Sequence, residues 1–276
     1  MRFDIDRYLT AVEALDDDDI DYDAFLDDPL DEGSLRCLRY MHDVEHHTTC
    51  YLRDLLVTSA HDDPTVTSFL AMWVYEEFWH GEAIAKVLAR HAEPAGRPRV
   101  AAMRSRVGRD RLRTLGFMAA SSVTDHVVTI AMTWGAINEW TTQAGYLRLA
   151  ETSRHEVLAP LLRRIARQEG RHIDFYASQA EERLSRSAGA RLVTRAALRA
   201  KWSPVGANVM PAAETEHLIG HLFAGPDGEA IADRVDRRIH RLPGLGGLDL
   251  VRGVRTRVCG ASTSAPAPDP VLRLVS

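Results

Sequence analysis

The sequence predicts an all-α protein built around a bundle of four long helices. Apolar residues recur at the three- and four-residue spacing of a helix through four long segments, without a strand pattern of any length between them. A Glu-x-x-His turn also occurs in two of these segments, and each is preceded by a segment with an acid in its apolar stripe. The four core helices are predicted over residues 34–60, 64–91, 115–150 and 153–187.

Residues at the ends of these segments, and the long connection between the second and third, support the predicted arrangement of helices. Asp63-Pro64 combines a capping side chain with a proline at the first helical position, which predicts the start of the second core helix. Residues 92–114 are then expected to form a long crossover between the second and third core helices. Pro160 lies early in the fourth helix and is expected to delay its start or to kink it.

The flanking regions extend this central bundle. The sequence is divided into an acidic N-terminal segment, the bundle, accessory helices packed on the bundle, and a disordered Ala/Pro/Ser-rich tail, over residues 1–32, 33–187, 188–258 and 259–276. The extra C-terminal helices are predicted over residues 189–201, 212–223 and 227–241.

The two Glu-x-x-His pairs and the two earlier acids form the candidate site. The six residues are Glu45, Glu77, His80, Glu139, Glu169 and His172. The spacing nearly repeats, because the first acid precedes its pair by 32 residues (77 − 45) and the second by 30 (169 − 139). Side chains three positions apart share one helix face. Each acid also interrupts an apolar stripe that should face the core.

The pairing alone is weak support for a site. With 16 Glu and 12 His in 276 residues, random placement gives about 0.7 such pairs, and three occur. The third pair, Glu214–His217, lacks an upstream acid in an apolar stripe and is expected to be an exposed helix turn. The interpretation of the first two pairs as a site therefore depends on the apolar stripes in which they lie.

Four carboxylates inside a helical core need compensation, because burying an unpaired acid is costly. Lysine and arginine are absent from the four stripes. One interpretation is a pair of cations, since four carboxylates and two imidazoles from four helices form a carboxylate-bridged di-metal site. The alternative is that the acids pair with arginines or stay protonated. Oxygen-rich ligands with one imidazole per ion favour iron or manganese.

Composition excludes several classes of protein. The chain is 45% hydrophobic and 26% charged, which is typical of a soluble globular protein. No run of 18 apolar residues occurs, so no membrane span is expected. The acidic N-terminus lacks the apolar core of a signal peptide, and the scattered Cys37, Cys50 and Cys259 are expected to stay reduced. These observations predict a cytoplasmic protein.

Charge is distributed unevenly along the chain. Residues 1–63 carry a formal −13 and the remainder +8, which sums to −5. The basic segments 97–113 and 183–201 are either solvated helix faces or a docking surface for an acidic protein. No nucleic-acid-binding motif accompanies them, so nucleic acid is not an expected partner.

Three stretches resemble motifs of the soluble acyl-acyl-carrier-protein desaturases, within the ferritin-like di-iron superfamily. YEEFWHGEAIAKVL is similar to the E-E-x-x-H-G motif of that family, IARQEGRHIDFYA to its second motif, D-E-x-x-H, and INEWTTQAGY to its Glu-bearing helix. The resemblance covers roughly residues 33–187 and is strongest to the compact bacterial members. It implies a ferritin-like bundle.

The resemblance also implies a centre of two iron ions, Fe²⁺ or Fe³⁺, with manganese acceptable in either position. It implies that one ion is bound by Glu45 and His80, the other by Glu139 and His172, with Glu77 and Glu169 bridging or chelating. Thr142, three residues after Glu139, would lie beside the metal and assist oxygen chemistry. The implied activity is O₂-dependent desaturation of an acyl chain on a carrier protein or CoA. A ferredoxin-like electron donor, an acidic acyl carrier protein and a homodimer are implied as well.

Departures from the family leave other functions open. Gln168 stands where the family has Asp, and Asn138 where Gln is common. The alternatives are a hydroxylase or N-oxygenase of a small metabolite, a ferroxidase or iron-handling protein, and a helical protein without metal. His42, His46 or His47 would add a ligand in an N-oxygenase; otherwise they are expected at the surface or beside the ligands.

Overall fold

The computed structural model describes residues 3–106, 110–124 and 126–263, and within these ranges every regular element is a helix. The α-helices are α1 (Ile5–Ala11), α2 (Ala24–Asp27), α3 (Glu32–Leu56), α4 (Pro64–Arg90), α5 (Gly96–Arg106), α6 (Asp110–Val123), α7 (His126–Ser153), α8 (Leu158–Arg186), α9 (Ala188–Lys201), α10 (Ala212–Leu222), α11 (Gly225–Arg241) and α12 (Leu250–Thr263). A 3₁₀ turn, Ser59–Asp62, joins α3 to α4. The prediction of an all-α, ferritin-like helical bundle is confirmed.

Helices α3, α4, α7 and α8 form the core, with α3 packed along α4 and α7 packed along α8. Aromatic side chains join the two pairs. Phe69 of α4 stacks on Phe175 of α8 with ring centroids 3.6 Å apart, and Tyr176 packs edge-on against Phe69. All three rings are buried, so they fix the distance between the two helices that carry the Glu-x-x-His pairs.

Side chains at the helix ends set the start of three core helices. Asp31 accepts a hydrogen bond from Ser34 N–H at the start of α3, and Asp63 accepts from the N–H groups of Thr65 and Val66 at the start of α4. At α8 the cap is an imidazole, because His155 Nδ1 accepts from the N–H groups of residues 157 and 158. Helix α8 therefore begins at residue 158 and not at 153, as expected for a start delayed by Pro160.

The crossover is itself helical. It contains α5 and α6, so the third core helix begins at His126 and not at residue 115 as predicted. Arg99 of α5 donates to both carboxylate oxygens of Asp43 at 2.6 and 2.7 Å, and Arg104 donates to the carbonyl of His46 at 2.8 Å. These contacts hold the crossover against α3.

The C-terminal helices pack on the bundle. Helix α9 lies against α7 and α8, and α10 lies against α3. Residues 259–263 belong to α12, which corrects the prediction of disorder from residue 259, and residues 264–276 lie outside the described part of the chain. None of the helices in the described ranges combines the length and apolar character needed to span a bilayer.

Candidate metal centre

The six predicted ligand residues lie together in the middle of the bundle. Glu45 comes from α3, Glu77 and His80 from α4, Glu139 from α7, and Glu169 and His172 from α8. None of the six is more than 6% exposed. Their helices place them there because each occupies the core-facing stripe of an amphipathic segment.

The six side chains form two groups that share two members. Glu45, Glu77, His80 and Glu169 each offer one ligand atom within 4.8 Å of the others. Glu77, Glu139, Glu169 and His172 do the same. Glu77 and Glu169 therefore belong to both candidate cation positions, as bridging carboxylates do.

The two imidazoles face the centre through the same ring nitrogen. His80 Nδ1 lies 3.3 Å from Glu77 Oε2 and 3.4 Å from Glu169 Oε1. His172 Nδ1 lies 3.3 Å from Glu77 Oε1 and 2.9 Å from Glu169 Oε2. Each shared carboxylate thus turns one oxygen to each imidazole, which is the arrangement needed to bridge two ions.

The four acids form two pairs whose pKa values are shifted in opposite directions. Burial, and then the charge of neighbouring carboxylates, raises the pKa of Glu45 and Glu139 well above the ordinary value. Burial acts the same way on Glu77 and Glu169, but hydrogen bonds from neighbouring groups outweigh it and hold both pKa values low. In the metal-free site these shifts favour a proton on each of the two outer acids and a negative charge on each of the two shared acids.

The neighbouring carboxylates also shift the pKa values of the two imidazoles. Burial opposes their charge, but the Glu169 and Glu77 carboxylates outweigh it and raise the pKa of His80 to about 9. The pKa of His172 is raised well above its ordinary value, with burial again overcome by Glu169, Glu76 and Glu77. Protons therefore balance the charge of the metal-free site, and metal ions binding there would displace them.

The residue before each motif acid holds the imidazole of the opposite motif. His80 Nε2 donates to Gln168 Oε1 at 2.9 Å, and His172 Nε2 donates to Glu76 Oε2 at 2.9 Å. Such contacts fix the orientation of a metal-binding imidazole and leave its other nitrogen for the ion. Gln168 thus supplies a neutral acceptor where Glu76 supplies a charged one.

Glu76 belongs to a larger polar network that sequence analysis missed. It is fully buried, receives a hydrogen bond from Tyr8 Oη at 2.8 Å, and pairs with the guanidinium of Arg171. Burial would raise the pKa of Glu76, but His172, Tyr8 and Arg171 together lower it. One feature of the sequence could have pointed to Glu76. It directly precedes the candidate ligand Glu77, just as the polar residue Gln168 directly precedes the candidate ligand Glu169.

Two further side chains lie beside Glu45. Tyr146 is completely buried and donates a hydrogen bond from its hydroxyl to Glu45 Oε1. Burial, and then the charge of Glu45, raises the pKa of Tyr146 well above its ordinary value. Thr142 is half-buried and lines a cavity together with Glu45 and Tyr146, while its position beside a metal ion and its catalytic role stay predictions.

That cavity is narrow and mainly apolar. Its volume is about 50 Å³, and its walls come from α3, α7, α10 and α12 and from the segment between α9 and α10. Representative apolar wall residues are Met41, Val44, Leu218, Leu222 and Val251.

A second cavity meets Glu45 from another side. Its volume is about 340 Å³, and its lining includes His46, Glu82, Arg97 and Arg104. Glu45 therefore borders both an apolar cavity and a larger one whose lining includes charged side chains, here called the polar cavity.

His42, His46 and His47 are buried, which rules out the surface position, one of the two placements expected for them. None of them belongs to either carboxylate group within the described residues. His42 donates from Nδ1 to Asp43 and accepts at Nε2 from Gly96 N–H, both at 3.0 Å, so it joins α3 to α5. Burial lowers the pKa of His46 to about 4, which keeps that ring neutral.

The donor set fits two divalent cations. Four carboxylates carry a charge of −4 when ionised, which two divalent ions balance, and oxygen-rich ligands with one imidazole per ion suit iron or manganese. Glu169 Oε1 is buried and accepts no hydrogen bond within the described ranges, although His80 Nδ1 approaches it at 3.4 Å. A buried oxygen left in that state is a position that a cation would satisfy.

Comparison with known proteins adds little beyond the fold. No protein-family model matches the chain, and no curated protein matches it. Among solved structures, the X-ray structure of the proposed acyl-ACP desaturase DesA2 from Mycobacterium tuberculosis H37Rv has a TM-score of 0.47 and 22% identity, over 75% of each chain. Similarity at this level carries no argument about activity, and the case for function depends on the geometry of the centre.

Proposed function

We propose that the protein is a di-iron, O₂-dependent oxidoreductase that desaturates an acyl chain held as a carrier-protein or CoA thioester. The observation that carries the proposal is the pair of cation positions sharing Glu77 and Glu169, beside an apolar cavity that reaches Glu45. The balanced reaction converts –CH₂–CH₂–, O₂, two electrons and two protons into –CH=CH– and two waters.

Bound iron would supply the reductive activation of dioxygen, which amino-acid side chains do not provide. The chain's own part begins with holding the ions, with Glu45 and His80 on one side and Glu139 and His172 on the other. Gln168 and Glu76 orient the two imidazoles through the hydrogen bonds at 2.9 Å. The buried aromatic and aliphatic side chains around the centre keep bulk water away from it.

Tyr146 and Thr142 place hydroxyl groups in the wall of the apolar cavity that reaches Glu45. The Tyr146 hydroxyl donates to Glu45 and so restrains the carboxylate that borders both cavities. Thr142 places a hydroxyl at the cavity wall, where it is able to donate or accept a proton. The remaining wall residues are mostly apolar, which suits a hydrocarbon segment and not a charged molecule.

Electrons and substrate would come from acidic partners, a ferredoxin-like donor and an acyl carrier protein. The basic segments motivate this part of the proposal, but several of their arginines are already engaged. Arg99 and Arg104 bind α3, while Arg191 and Arg195 donate to backbone carbonyls. Arg97, which lines the polar cavity, is the arginine we assign to a partner contact.

A second candidate is oxidation of a small acidic metabolite. The polar cavity favours it, because its volume of about 340 Å³ suits a small molecule and Arg97 in its lining favours a carboxylate or phosphate. This reaction would use the same centre through the other face of Glu45.

The test is a turnover experiment with the iron-loaded chain, a chemical or ferredoxin reductant, and O₂. Acyl thioesters of graded chain length and a panel of small carboxylates and phosphates are offered separately, and products are identified by mass spectrometry. The proposal expects thioesters that have lost two hydrogen atoms. Oxygenated small acids without desaturated thioesters would favour the second candidate instead.

The matched variants are Glu169→Ala and Glu151→Gln. Glu169 is shared by both cation positions, whereas Glu151 is an exposed acid on α7. Glu169→Ala is expected to lose iron and product together, and Glu151→Gln to retain both. Full iron content in the wild-type chain with rapid O₂ consumption but no organic product would contradict both candidates and indicate iron handling.

A further inference from the structure

The third Glu-x-x-His pair, on α10, is not an exposed turn as predicted. Glu214 pairs with Arg36 of α3, with Nε to Oε2 at 2.7 Å and Nη2 to Oε1 at 3.0 Å. His217 is half-buried, and His221 follows it one helical turn later. His217 and His221 therefore both lie on the side of α10 that faces the first turns of α3.

These imidazoles meet a buried thiol. Cys37 of α3 is fully buried, and its sulfur and one nitrogen each of His217 and His221 lie within 4.8 Å of one another. The two rings are nearly parallel, with centroids 5.5 Å apart and planes inclined by 26°. One sulfur and two nitrogens thus converge at a point remote in sequence from the carboxylate centre.

The hydrogen bonding of His217 is that of a metal ligand. Its Nε2 donates to the carbonyl of Gly33 at 3.2 Å. A carbonyl only accepts, so Nε2 carries the hydrogen and Nδ1 keeps its lone pair. Metal-binding histidines are held in this way, with the other ring nitrogen bound to a carbonyl or carboxylate.

Gly33 also leaves the space that His221 occupies. A Cβ at Gly33 would lie 2.8 Å from His221 Cε1, 3.0 Å from His221 Nδ1 and 2.9 Å from Asp31 Oδ1. A side chain at this position would push the imidazole aside. Glycine here therefore permits the close approach of α10 to the start of α3, with the Asp31 carboxylate nearby to favour a cation.

We propose that Cys37, His217 and His221 form a second metal site, for Zn²⁺, separate from the carboxylate centre. One thiolate and two imidazoles are the ligand types that zinc takes in tetrahedral sites, and water would fill the fourth position. Binding replaces the thiol S–H bond with an S–Zn bond and releases one proton. The donor set is softer than that of the carboxylate centre, so the two sites select different metals.

The zinc site would anchor a wall of the apolar cavity. Leu218 and Leu222, each next to one of the two histidines in sequence, line that cavity. Cys37 precedes Glu45 by eight residues on α3 (45 − 37), or about 12 Å at ~1.5 Å per residue. One ion would therefore fix α10 against the helix that carries a ligand of the carboxylate centre.

Cobalt substitution tests the site in the full-length chain with its carboxylate centre already loaded with iron. One equivalent of Co²⁺ is expected to produce a thiolate-to-cobalt charge-transfer band in the near ultraviolet, which Zn²⁺ then removes by displacement. Neither carboxylate group in the described part of the chain contains a cysteine, so a thiolate band does not come from that centre, and the cysteine variants identify which thiol binds the ion. Cys37→Ser is expected to abolish the band, and the matched Cys259→Ser, on α12, to retain it.

Because Cys37 is fully buried, a second variant is needed to distinguish the loss of a metal ligand from misfolding. His221→Gln changes a half-buried side chain, keeps the thiol, and is expected to weaken Zn²⁺ binding by at least about tenfold. Zinc and iron are counted in the same samples by elemental analysis, with folding checked by circular dichroism. Absence of the charge-transfer band in the wild-type chain, or equal zinc content in wild type and His221→Gln, would overturn the proposal.

Discussion

Gln168 Oε1 accepts a hydrogen bond from His80 Nε2 at 2.9 Å, whereas the equivalent acceptor for His172 is the carboxylate of Glu76. The two imidazoles of one centre therefore have a neutral partner on one side and a charged partner on the other. A charged acceptor makes an imidazole a stronger ligand. The two cation positions are expected to differ in affinity for this reason, with tighter binding on the His172 side.

Glu76→Gln tests this difference. Removing the charge beside His172 is expected to weaken the tighter of the two Fe²⁺ binding steps by about 10–100-fold, because the imidazole loses its charged acceptor. Anaerobic calorimetric titration resolves the two steps. Glu82→Gln, the same change on the same helix at a half-buried site, is the control and should leave both steps unaltered. Equal affinities in wild type, unchanged by Glu76→Gln, would rule out the asymmetry.

The metal-free chain is expected to lose stability between pH 6.5 and about pH 9. The folded-state pKa of His80 is raised from 6.5 to about 9, so its protonation stabilises the fold fully below pH 6.5. That contribution, on the order of 3 kcal/mol, disappears as pH rises through the folded-state pKa. Urea unfolding of chelator-treated protein at the two ends of this range measures it.

The iron-loaded chain is the comparison for the pH experiment. Metal ions displace the proton on His80, so the affinity for Fe²⁺ rises over the same pH range and the loss of stability is removed. A metal-free chain whose free energy of unfolding is constant or increases from pH 6.5 to pH 9 would show that His80 is not held protonated by its neighbours.

Tyr146→Phe is expected to destabilise the metal-free chain by about 1–3 kcal/mol. The change removes the hydroxyl that donates to Glu45 and leaves a buried carboxyl oxygen without that donor. Tyr75→Phe, at a tyrosine that is 43% exposed on α4, is the control and should cost little. Chemical denaturation gives both values, and equal costs for the two variants would mean that the Tyr146 hydroxyl contributes nothing.

Under the proposed function, Gly145→Leu is expected to shorten the acyl chain that the protein accepts as a substrate. A Cβ at Gly145 would lie 3.6 Å from Leu222 and 3.7 Å from Met41, in ordinary contact, so the rest of the leucine extends into the apolar cavity. The kcat/KM for the longest substrate should fall by about tenfold or more with iron content unchanged. Gly220→Leu, where a Cβ meets nothing within 4 Å, should retain the wild-type profile. An unaltered profile for Gly145→Leu would place the substrate elsewhere.

The sequence was sufficient to predict the convergence of the six candidate ligands, because helical periodicity alone puts Glu77 beside His80 and Glu169 beside His172. It did not predict where the third core helix begins. Residues 115–123 have helical character but belong to α6, and Thr124 Oγ1 accepts from His126 N–H to start a new helix. Local competition of this kind is invisible to a count of apolar spacing.

Individual hydrogen bonds and contacts outside the six candidate ligands could not be predicted from the sequence. Periodicity places Tyr146 on the core face of α7, but only packing shows that its hydroxyl meets Glu45, 101 residues earlier. The same holds for Cys37 and His217, which are 180 residues apart (217 − 37) and meet because α10 packs on α3. Residues so far apart in the chain leave no local sequence pattern that would predict their contact.

The most direct test of the account is iron analysis with Mössbauer spectroscopy on the purified chain after anaerobic loading and exposure to O₂. A centre that shares Glu77 and Glu169 is expected to hold two iron ions per chain as a spin-coupled pair, lost together in Glu169→Ala and retained in Glu214→Ala, which changes the third Glu-x-x-His pair. A chain without bound iron, or with single uncoupled ferric ions that persist in Glu169→Ala, would contradict it.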